Sequence, residues 1–402
     1  MFGVVGGESR EEGAAPRVPW ARRSAAADGF VVDELSVECS DAGEDGSHLW
    51  FTVQKRGVST PEAARRIARA LGLPPVAVGF AGRKDARAIT RQRMSVEHVE
   101  PDALLAVDVP GIRIRDVQRA RTKLRLGDLE GNRFHLRLDG AAESDAPRTR
   151  AALVELAEDG LPNAYGPQRF GAEGRGWEIG RLLCTGPPLA YLGAIAADDA
   201  GRTEAGLELV RRIESGSPGE RRRATELGPQ LGPELKAVAH ALVRKRSAPP
   251  EDLVRAVPKR ARSFHVSMLQ AYVFNRVLAR RVADGTWGTL LPGDVAAELT
   301  FGPAPRAVPT GPMWSPRMRR AEDAPAAVEL EELRAVGLEP EDLGAPGGLT
   351  PRGARRPLVA ELRAPECVWR DDVGALWISF ELPPGSYATV VLDALGTRAL
   401  SH

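Results

Sequence analysis

The sequence has few of the residues that build disulfide frameworks or metal sites. Its 402 residues include three cysteines and six histidines, and neither set shows the paired spacing of a disulfide scaffold or a zinc site. Aromatic residues make up only 5% of the chain. No apolar run reaches the ~18 residues that a membrane helix needs, and the acidic N-terminus lacks the apolar core of a signal peptide. We therefore expect a cytoplasmic location, no membrane partner and no metal.

An excess of positive charge is also missing. Lysine and arginine total 55 against 54 acidic residues, for a net charge of +1, so any nucleic-acid-binding surface must depend on local patches. The densest basic segment has its cations at odd positions, which would share one face of an extended chain. We interpret it as a stripe for RNA phosphates, with a merely solvated strand edge as the alternative. The basic stripe consists of Arg113, Arg115, Arg119, Arg121, Lys123 and Arg125.

Residues 79–96 contain the most informative combination of side chains. Asp85 is a single carboxylate that follows two glycines, Gly79 and Gly82, and is surrounded in sequence by cations. A carboxylate in cationic surroundings stays ionised and available as a nucleophile or base. A surface loop with a paired aspartate is the alternative. The surrounding cations are Arg83, Lys84, Arg87, Arg91 and Arg93.

This stretch resembles the catalytic motif of the TruD family of pseudouridine synthases, which reads Gly-aromatic-Ala-Gly-x-Lys-Asp-x-x-Ala-x-Thr-x-Gln. Every fixed position is met, the last of them at Gln92. Further blocks resemble the family in the family's own order and extend the likeness from about residue 30 to residue 389. These blocks are residues 30–34, 43–49, 53–57, 123–127, 131–134, 160–171, 309–311 and 382–389.

The resemblance implies a tRNA pseudouridine synthase that acts on uridine 13 of tRNA, with tRNA as its partner. The reaction exchanges a bond from ribose C1′ to N1 for one to C5, so it implies no cofactor. Asp85 takes the role of the catalytic carboxylate, either by attacking C1′ or by removing a ribose proton, and both routes stay open. For each predicted aromatic contact, core packing is the alternative. The predicted substrate-binding residues are Phe30, Asn132, Phe134, Tyr387 and Lys84.

Two other functions stay open at this point. An RNA-binding protein without catalysis would be favoured by the loss of the carboxylate, but Asp85 is present. A glycosidase or base-excising enzyme would need two acids at a defined separation, and the sequence signals no second acid near Asp85.

The pattern of elements predicts an α+β fold. Short strands are expected at 30–34, 49–55, 76–80, 134–138, 377–382 and 388–392, towards the two ends of the chain. Helices are expected from Thr60 to about Gly72, with the Thr60 hydroxyl as cap, and over 263–282. Together with the resemblance, this predicts a pseudouridine-synthase-like, mixed and largely antiparallel sheet domain with an inserted, mostly helical α/β domain.

The predicted organisation has four parts. They are a flexible N-terminal arm over 1–27, a first catalytic part over 28–159, an inserted domain over 160–350 and a last catalytic part over 351–402. Asn163, Gln168 and Arg169 are expected to shape the junction with the insertion or the wall of the cleft. Residues 200–258 match no family block, so their role is open.

Overall fold

A computed structural model of the chain describes residues 22–23, 27–39, 43, 45–84, 86, 88–171, 173–199, 201–302 and 304–396. Most of the predicted arm over 1–27 lies outside these residues, as does Asp85. Among the described helices, none has both the length and the apolar character needed to cross a membrane.

Nine strands of the described chain form one large sheet. Its order is β13-β14-β7-β2-β5-β3-β6, with β1 on β7 and β4 on β5. Only β2 and β5 pair in parallel, so the predicted mixed, largely antiparallel sheet is confirmed. The strands are β1 (Arg22–Arg23), β2 (Phe30–Ser36), β3 (His48–Lys55), β4 (Gly79–Phe80), β5 (Ile89–Glu97), β6 (Ile112–Ala120), β7 (Leu129–Asp139), β13 (Arg363–Arg370) and β14 (Ala375–Leu382).

One face of this sheet carries two hydrophobic clusters with a polar strip between them. Helix α1 (Thr60–Ala70) covers the first cluster, which contains Phe51 and Met94. The second contains Phe134 and Phe380, together with residues of α3 (Ala146–Asp159) and α12 (Ala388–Ala394). Short helix α2 (Pro101–Leu105) precedes β6. The polar strip between the clusters consists of Glu34, Lys55, Thr60, Lys84, Thr90 and Gln92.

A second region is built between β8 (Leu161–Pro162) and β12 (Val359–Ala360), which pair with each other. Its helical core is separate from the clusters on the main sheet. A three-stranded sheet of β9 (Ala296–Leu299), β10 (Arg306–Met313) and β11 (Ala354–Pro357) accompanies the helices. The helices are α4 (Gly176–Thr185), α5 (Pro188–Asp198), α6 (Thr203–Glu214), α7 (Pro218–Glu226), α8 (Pro233–Arg244), α9 (Pro250–Ala256), α10 (Lys259–Ala283) and α11 (Asp323–Arg334).

Helix α10 connects the two regions. Its first half places Val266 and Leu269 in the helical core, and its second half places Phe274 and Leu278 in the cluster on the main sheet. The expected helix over 263–282 lies inside it. The domain boundaries at 160 and 350 stay a prediction.

Two of the predicted strands were wrong. Residues 388–392 form α12 because Ala388, Val391, Leu392 and Leu395 follow helical spacing, and all four are buried on one side. The run of β-branched residues masked that spacing. Residues 76–80 form a 3₁₀ turn at Pro75–Ala77 and only a two-residue strand, β4.

The start of α1 needs a smaller correction. The helix begins at Thr60 as predicted, but its capping hydroxyl belongs to Ser59, which accepts the N–H of Glu62 at 3.4 Å. The Thr60 hydroxyl is therefore available for other contacts.

Candidate active site

Glu34 and Lys84 form a buried ion pair in the polar strip. Lys84 Nζ lies 2.7 Å from Glu34 Oε2, and the two side chains are 5% and 0% exposed. The other carboxylate oxygen of Glu34 accepts the backbone N–H of Arg93 at 3.0 Å. Since an unpaired charge would be costly at this depth, the pair holds the loop to the sheet immediately before Asp85.

The backbone of the loop is also held by neutral groups. The Thr60 hydroxyl accepts the N–H of Lys84 at 2.8 Å and donates to Gln92 Oε1 at 2.7 Å. Gln92 Nε2 in turn donates to the carbonyl of Gly82 at 3.1 Å. Lys55 Nζ lies 3.4 Å from the carbonyl of Lys84. Gln92, at the end of the sequence motif, therefore fixes the loop near the start of the same motif.

The close packing of this loop accounts for Gly82. A Cβ at this position would lie 2.6 Å from Lys84 Nζ and 3.0 Å from Glu34 Oε2, so any larger residue would push the buried ion pair apart. Asp85 and Arg87 lie outside the described residues, but the residues on either side of them are anchored. Lys84 is held as above, and Ala88 is fully buried.

Three predicted substrate residues lie together on the same face of the sheet. In the pairing of β2 with β7, Glu34 opposes Asn132 and Val32 opposes Phe134, and opposed residues project to the same side. The Phe134 and Phe30 rings are nearly parallel, with centroids 6.5 Å apart. Phe134 is only 7% exposed and also contacts core residues, whereas Phe30 is half-buried.

Asn132 has an unusual environment for a buried amide. Its Oδ1 is buried and has no hydrogen-bond partner among the residues that the structure describes. A buried acceptor without a donor costs free energy, so this oxygen is suited to accept a hydrogen bond from a ligand. Its position opposite Glu34 places it next to the anchored loop.

Tyr387 belongs to the same hydrophobic cluster as Phe30 and Phe134 but lies at the junction with the second region. Its ring meets that of Tyr165 at 5.9 Å and 61°. Burial is the main cause that raises the pKa of Tyr387, so its hydroxyl stays protonated at neutral pH.

Arg356 holds this junction together, although the sequence analysis did not single it out. Its guanidinium lies 4.2 Å from the centroid of the Tyr165 ring. It donates to Asn163 Oδ1 at 2.6 Å and to the carbonyl of Gly385 at 2.9 Å, in the turn that leads to Tyr387. Burial lowers the pKa of Arg356. The surrounding Pro- and Gly-rich sequence has no periodicity, so no sequence signal indicated this role.

The other predicted junction residues differ in their contacts. Asn163 is buried, and its amide nitrogen donates to the carbonyl of Pro357 at 3.0 Å. Arg169 lies between two aromatic rings, described below, and Gln168 is exposed. Among the residues described, no group of three or more His, Cys, Asp or Glu side chains could hold a metal ion.

Comparison with known proteins identifies the family. The family model for tRNA pseudouridine synthase D (TruD) matches residues 23–306 and 303–395. The chain belongs to the TruD family. The resemblance of residues 79–92 to the TruD motif is thereby confirmed at the level of the whole chain.

Curated members of the TruD family are similar over almost their full length. The tRNA pseudouridine synthase D of Geobacter metallireducens is 38% identical over 381 residues, covering 91% of this chain and 92% of that protein. The one from Geobacter sulfurreducens is 37% identical over 387 residues, with 92% of each chain covered. A crystal structure of the putative tRNA pseudouridine synthase D from Methanosarcina mazei has the same fold, with a TM-score of 0.67, 22% identity and 92% of each chain covered.

The predicted basic stripe of this TruD protein does not share one face. The pairing of β6 with β3 is irregular near Asp116, whose φ is 51°. Arg113 and Arg115 lie before this point and project to one side, whereas Arg119 opposes Leu49 and projects to the other. The prediction of a shared face was wrong because a bulge in β6 shifts the alternation of side chains between the two faces by one residue.

Beyond the bulge, the cations of the stripe have separate environments. Arg119 donates to Glu100 at 2.8 Å, and Lys123 Nζ reaches the carbonyl of Val76. Arg121 and Arg125 are exposed in the segment after β6. That segment borders the loop of the TruD motif over residues 81–88, since the N–H of Gly127 donates to the carbonyl of Ala81 at 2.9 Å.

Proposed function

We propose that this protein isomerises a uridine of tRNA, at position 13, to pseudouridine, with Asp85 as the catalytic carboxylate and without a cofactor. Membership of the TruD family carries this proposal, together with a complete catalytic motif over residues 79–92. The curated relatives bear the name tRNA pseudouridine synthase D. The reaction is an isomerisation, so every atom of the substrate is kept and no external electron or group donor is required.

The anchored loop supports this role for Asp85. Lys84 is neutralised by Glu34, so its ammonium does not compete as a direct partner for the neighbouring carboxylate. Its backbone N–H and carbonyl are both held within the polar strip. Because the peptide before Asp85 is restrained, the Asp85 carboxylate loses little conformational freedom when it approaches the ribose. Catalysis by positioning requires such a restraint.

The detached uracil must be held while it turns. The N–H groups of uracil are donors, and the Oδ1 of Asn132, which has no partner among the described residues, is an acceptor that suits them. The partly exposed ring of Phe30 offers a face for stacking, and the Phe134 ring lies nearly parallel behind it. We assign Tyr387 to the far wall of the same cluster, where Arg356 fixes the turn that carries it.

Two routes for Asp85 lead to the same product. Its carboxylate either attacks C1′ as the bond to N1 breaks, or removes the C2′ proton first. In the first route, the bond from Asp85 to C1′ breaks as C5 bonds to C1′. In the second, the bond to N1 breaks after the C2′ proton has left, and Asp85 returns that proton to C2′ as C5 bonds to C1′. In both, C5 then loses its proton and N1 gains one. Deuterium at C2′ of the target uridine separates the routes, because only proton removal gives a primary isotope effect on turnover.

The decisive experiment replaces Asp85 with Asn. We expect pseudouridine formation in unmodified tRNA to fall roughly a thousandfold or more, as for loss of an essential catalytic group, with tRNA affinity little changed. Asp33→Asn is the matched control, because Asp33 is an arginine-paired carboxylate on the opposite face of the sheet. Activity of Asp85→Asn within tenfold of wild type would refute the catalytic assignment.

The same assay addresses the alternative functions. An RNA-binding protein without catalysis would leave wild-type reactions free of pseudouridine, and a base-excising enzyme would release uracil and leave an abasic site. A tRNA in which uridine 13 is replaced by cytidine should gain no pseudouridine. Modification of that tRNA at another uridine would refute the assignment of position 13 as the target.

A further inference from the structure

The start of α10 carries an aromatic ring on the surface of a protein that has few aromatic residues. Phe264 is 47% exposed, and it is the only aromatic among the large exposed hydrophobic residues of the described chain. An exposed aliphatic residue needs no special explanation. An exposed phenylalanine surrounded by cations is different, because that combination is how proteins bind unstacked nucleic-acid bases.

Arg169 connects this ring to the candidate active site. Its guanidinium carbon lies 5.1 Å from the centroid of Phe264 and 5.6 Å from that of Tyr165, so it sits between the two rings. It is held there by a 2.8 Å hydrogen bond to Ser267 Oγ. Because Tyr165 also contacts Tyr387, a continuous series of rings and a guanidinium runs from the surface to the predicted substrate pocket.

Two cations, one at the start of α10 and one in the loop before Asp85, have no acidic partner among the described residues. Arg260 lies one turn before Phe264 on α10, and Arg83 lies two residues before Asp85 in the catalytic loop. Both are exposed. Within the described part of the chain, no carboxylate lies within ion-pair distance of Arg83, Arg169 or Arg260.

Helix stability does not explain this arrangement. Lys259 and Arg260 occupy the first turn of α10, which has no acidic residue. The positive end of the helix dipole disfavours cations at this position. The arrangement instead favours a bound anion, and a phosphate of the substrate supplies one.

We propose that Phe264 is a stacking platform for an unpaired base of tRNA close to the target uridine, and that Arg260 binds the phosphate beside it. This rests on the proposed function, because it takes tRNA as the ligand. Arg169 keeps the Phe264 ring in place and places its own positive charge between Phe264 and Tyr165. The platform belongs to the second region, so both regions of the chain contact the same stretch of RNA.

The test uses unmodified tRNA transcript with wild type and four variants. Phe264→Ala and Phe264→Leu remove the aromatic face, and Phe264→Tyr keeps it. Leu207→Ala on α6 is the matched control, since Leu207 is exposed to a similar extent, 40%. We expect KM and Kd for tRNA to rise about 5- to 100-fold in the Ala and Leu variants, on the scale of one lost base stack. The Tyr and Leu207→Ala variants should match wild type, as should kcat at saturating tRNA.

Arg260→Gln provides an independent measurement. Loss of one phosphate contact should reduce the slope of log affinity against log salt by about 0.7–0.9. Unchanged tRNA affinity in Phe264→Ala would overturn the platform, and the ring would then serve a protein partner instead. Wild-type affinity in Phe264→Leu, or a fall in kcat with KM unchanged, would overturn it too. A wild-type protein that makes no pseudouridine would refute the proposed function itself, which keeps the two failures apart.

Discussion

The loop before Asp85 and the start of α10 each place two cations near one another in sequence and give them opposite environments. In the loop, Arg83 is exposed and pairs with none of the described carboxylates, whereas Lys84 is buried against Glu34. In α10, Arg260 is exposed, whereas Arg262 is buried and donates to backbone carbonyl groups. Charges of the same sign within one short segment therefore serve two purposes.

The buried member of each pair stabilises the fold, and the exposed member is available to RNA. Changing a buried charge should therefore lower the free energy of unfolding, since an unpaired partner stays behind. Changing an exposed charge should leave stability nearly unchanged and alter only the salt dependence of tRNA binding. The predictions below test this division.

The largest effect is expected for Lys84→Met. It leaves the carboxylate of Glu34 buried without a counter-ion, which should lower the free energy of unfolding by about 3–5 kcal/mol. Urea denaturation measures this. Arg91→Gln is the control, because Arg91 pairs with Asp33 but is 49% exposed, so the expected loss is below about 1 kcal/mol. Equal losses in the two variants would contradict the division, and Glu34→Gln in the Lys84→Met background should restore part of the stability.

A smaller effect is expected at acid pH from His265, the buried neighbour of Phe264. Burial lowers the pKa of His265 to about 4, whereas an unfolded histidine titrates near 6.5. The unfolded chain therefore binds the proton first. Stability is fully present above pH ~6.5 and is lost as pH falls towards 4, by about 1.4 kcal/mol per pH unit.

Unfolding free energies at pH 7 and pH 5 measure this loss. His265→Gln should reduce the difference between the two pH values. His240→Gln should not, because His240 is exposed on α8. An identical pH dependence in wild type and His265→Gln would show that folding does not lower the pKa of this side chain.

The smallest effect on the fold is expected for the basic stripe. Arg113 and Arg115 are exposed on one side of β6, so their joint replacement by Gln should leave stability unchanged. It should reduce the salt slope of tRNA binding by about 1.5, for two phosphate contacts. Arg119→Gln should change the slope less, since Glu100 already holds this guanidinium. A larger change for Arg119 than for the double variant would show that RNA contacts the Arg119 face of β6 instead.

The sequence predicted the elements in which a single pattern dominates. Helix α10 and strands β2, β3, β7 and β14 were predicted near their observed positions because their apolar residues repeat at one period. The strand predicted over residues 388–392 was wrong, because a β-branched run hid the helical spacing of Ala388, Val391, Leu392 and Leu395. The bulge at Asp116 was also missed, because alternation in sequence cannot reveal one extra residue in a strand pair.

Sequence analysis identified residues of the candidate site only where they lie in a family motif. Phe30, Asn132 and Phe134 were found from family blocks, and the structure places them on one face of the sheet. Arg356 and Phe264 were missed because their roles depend on contacts between distant parts of the chain. The hydrogen bond from Arg356 to Asn163 joins residues 193 positions apart. Glu34 lay inside a matched block, but only its burial shows that it is the counter-ion of Lys84.

The short ribbon of β8 and β12 has a consequence for how the chain folds. The main sheet must join Arg133 to Glu381, which are 248 positions apart, and closing so long a loop slows folding. The helical region between them has its own core, and its two ends emerge side by side where Leu161 pairs with Ala360. When that core forms first, the long loop is already closed. β13 and β14 then approach β7 as if they followed it directly in the chain.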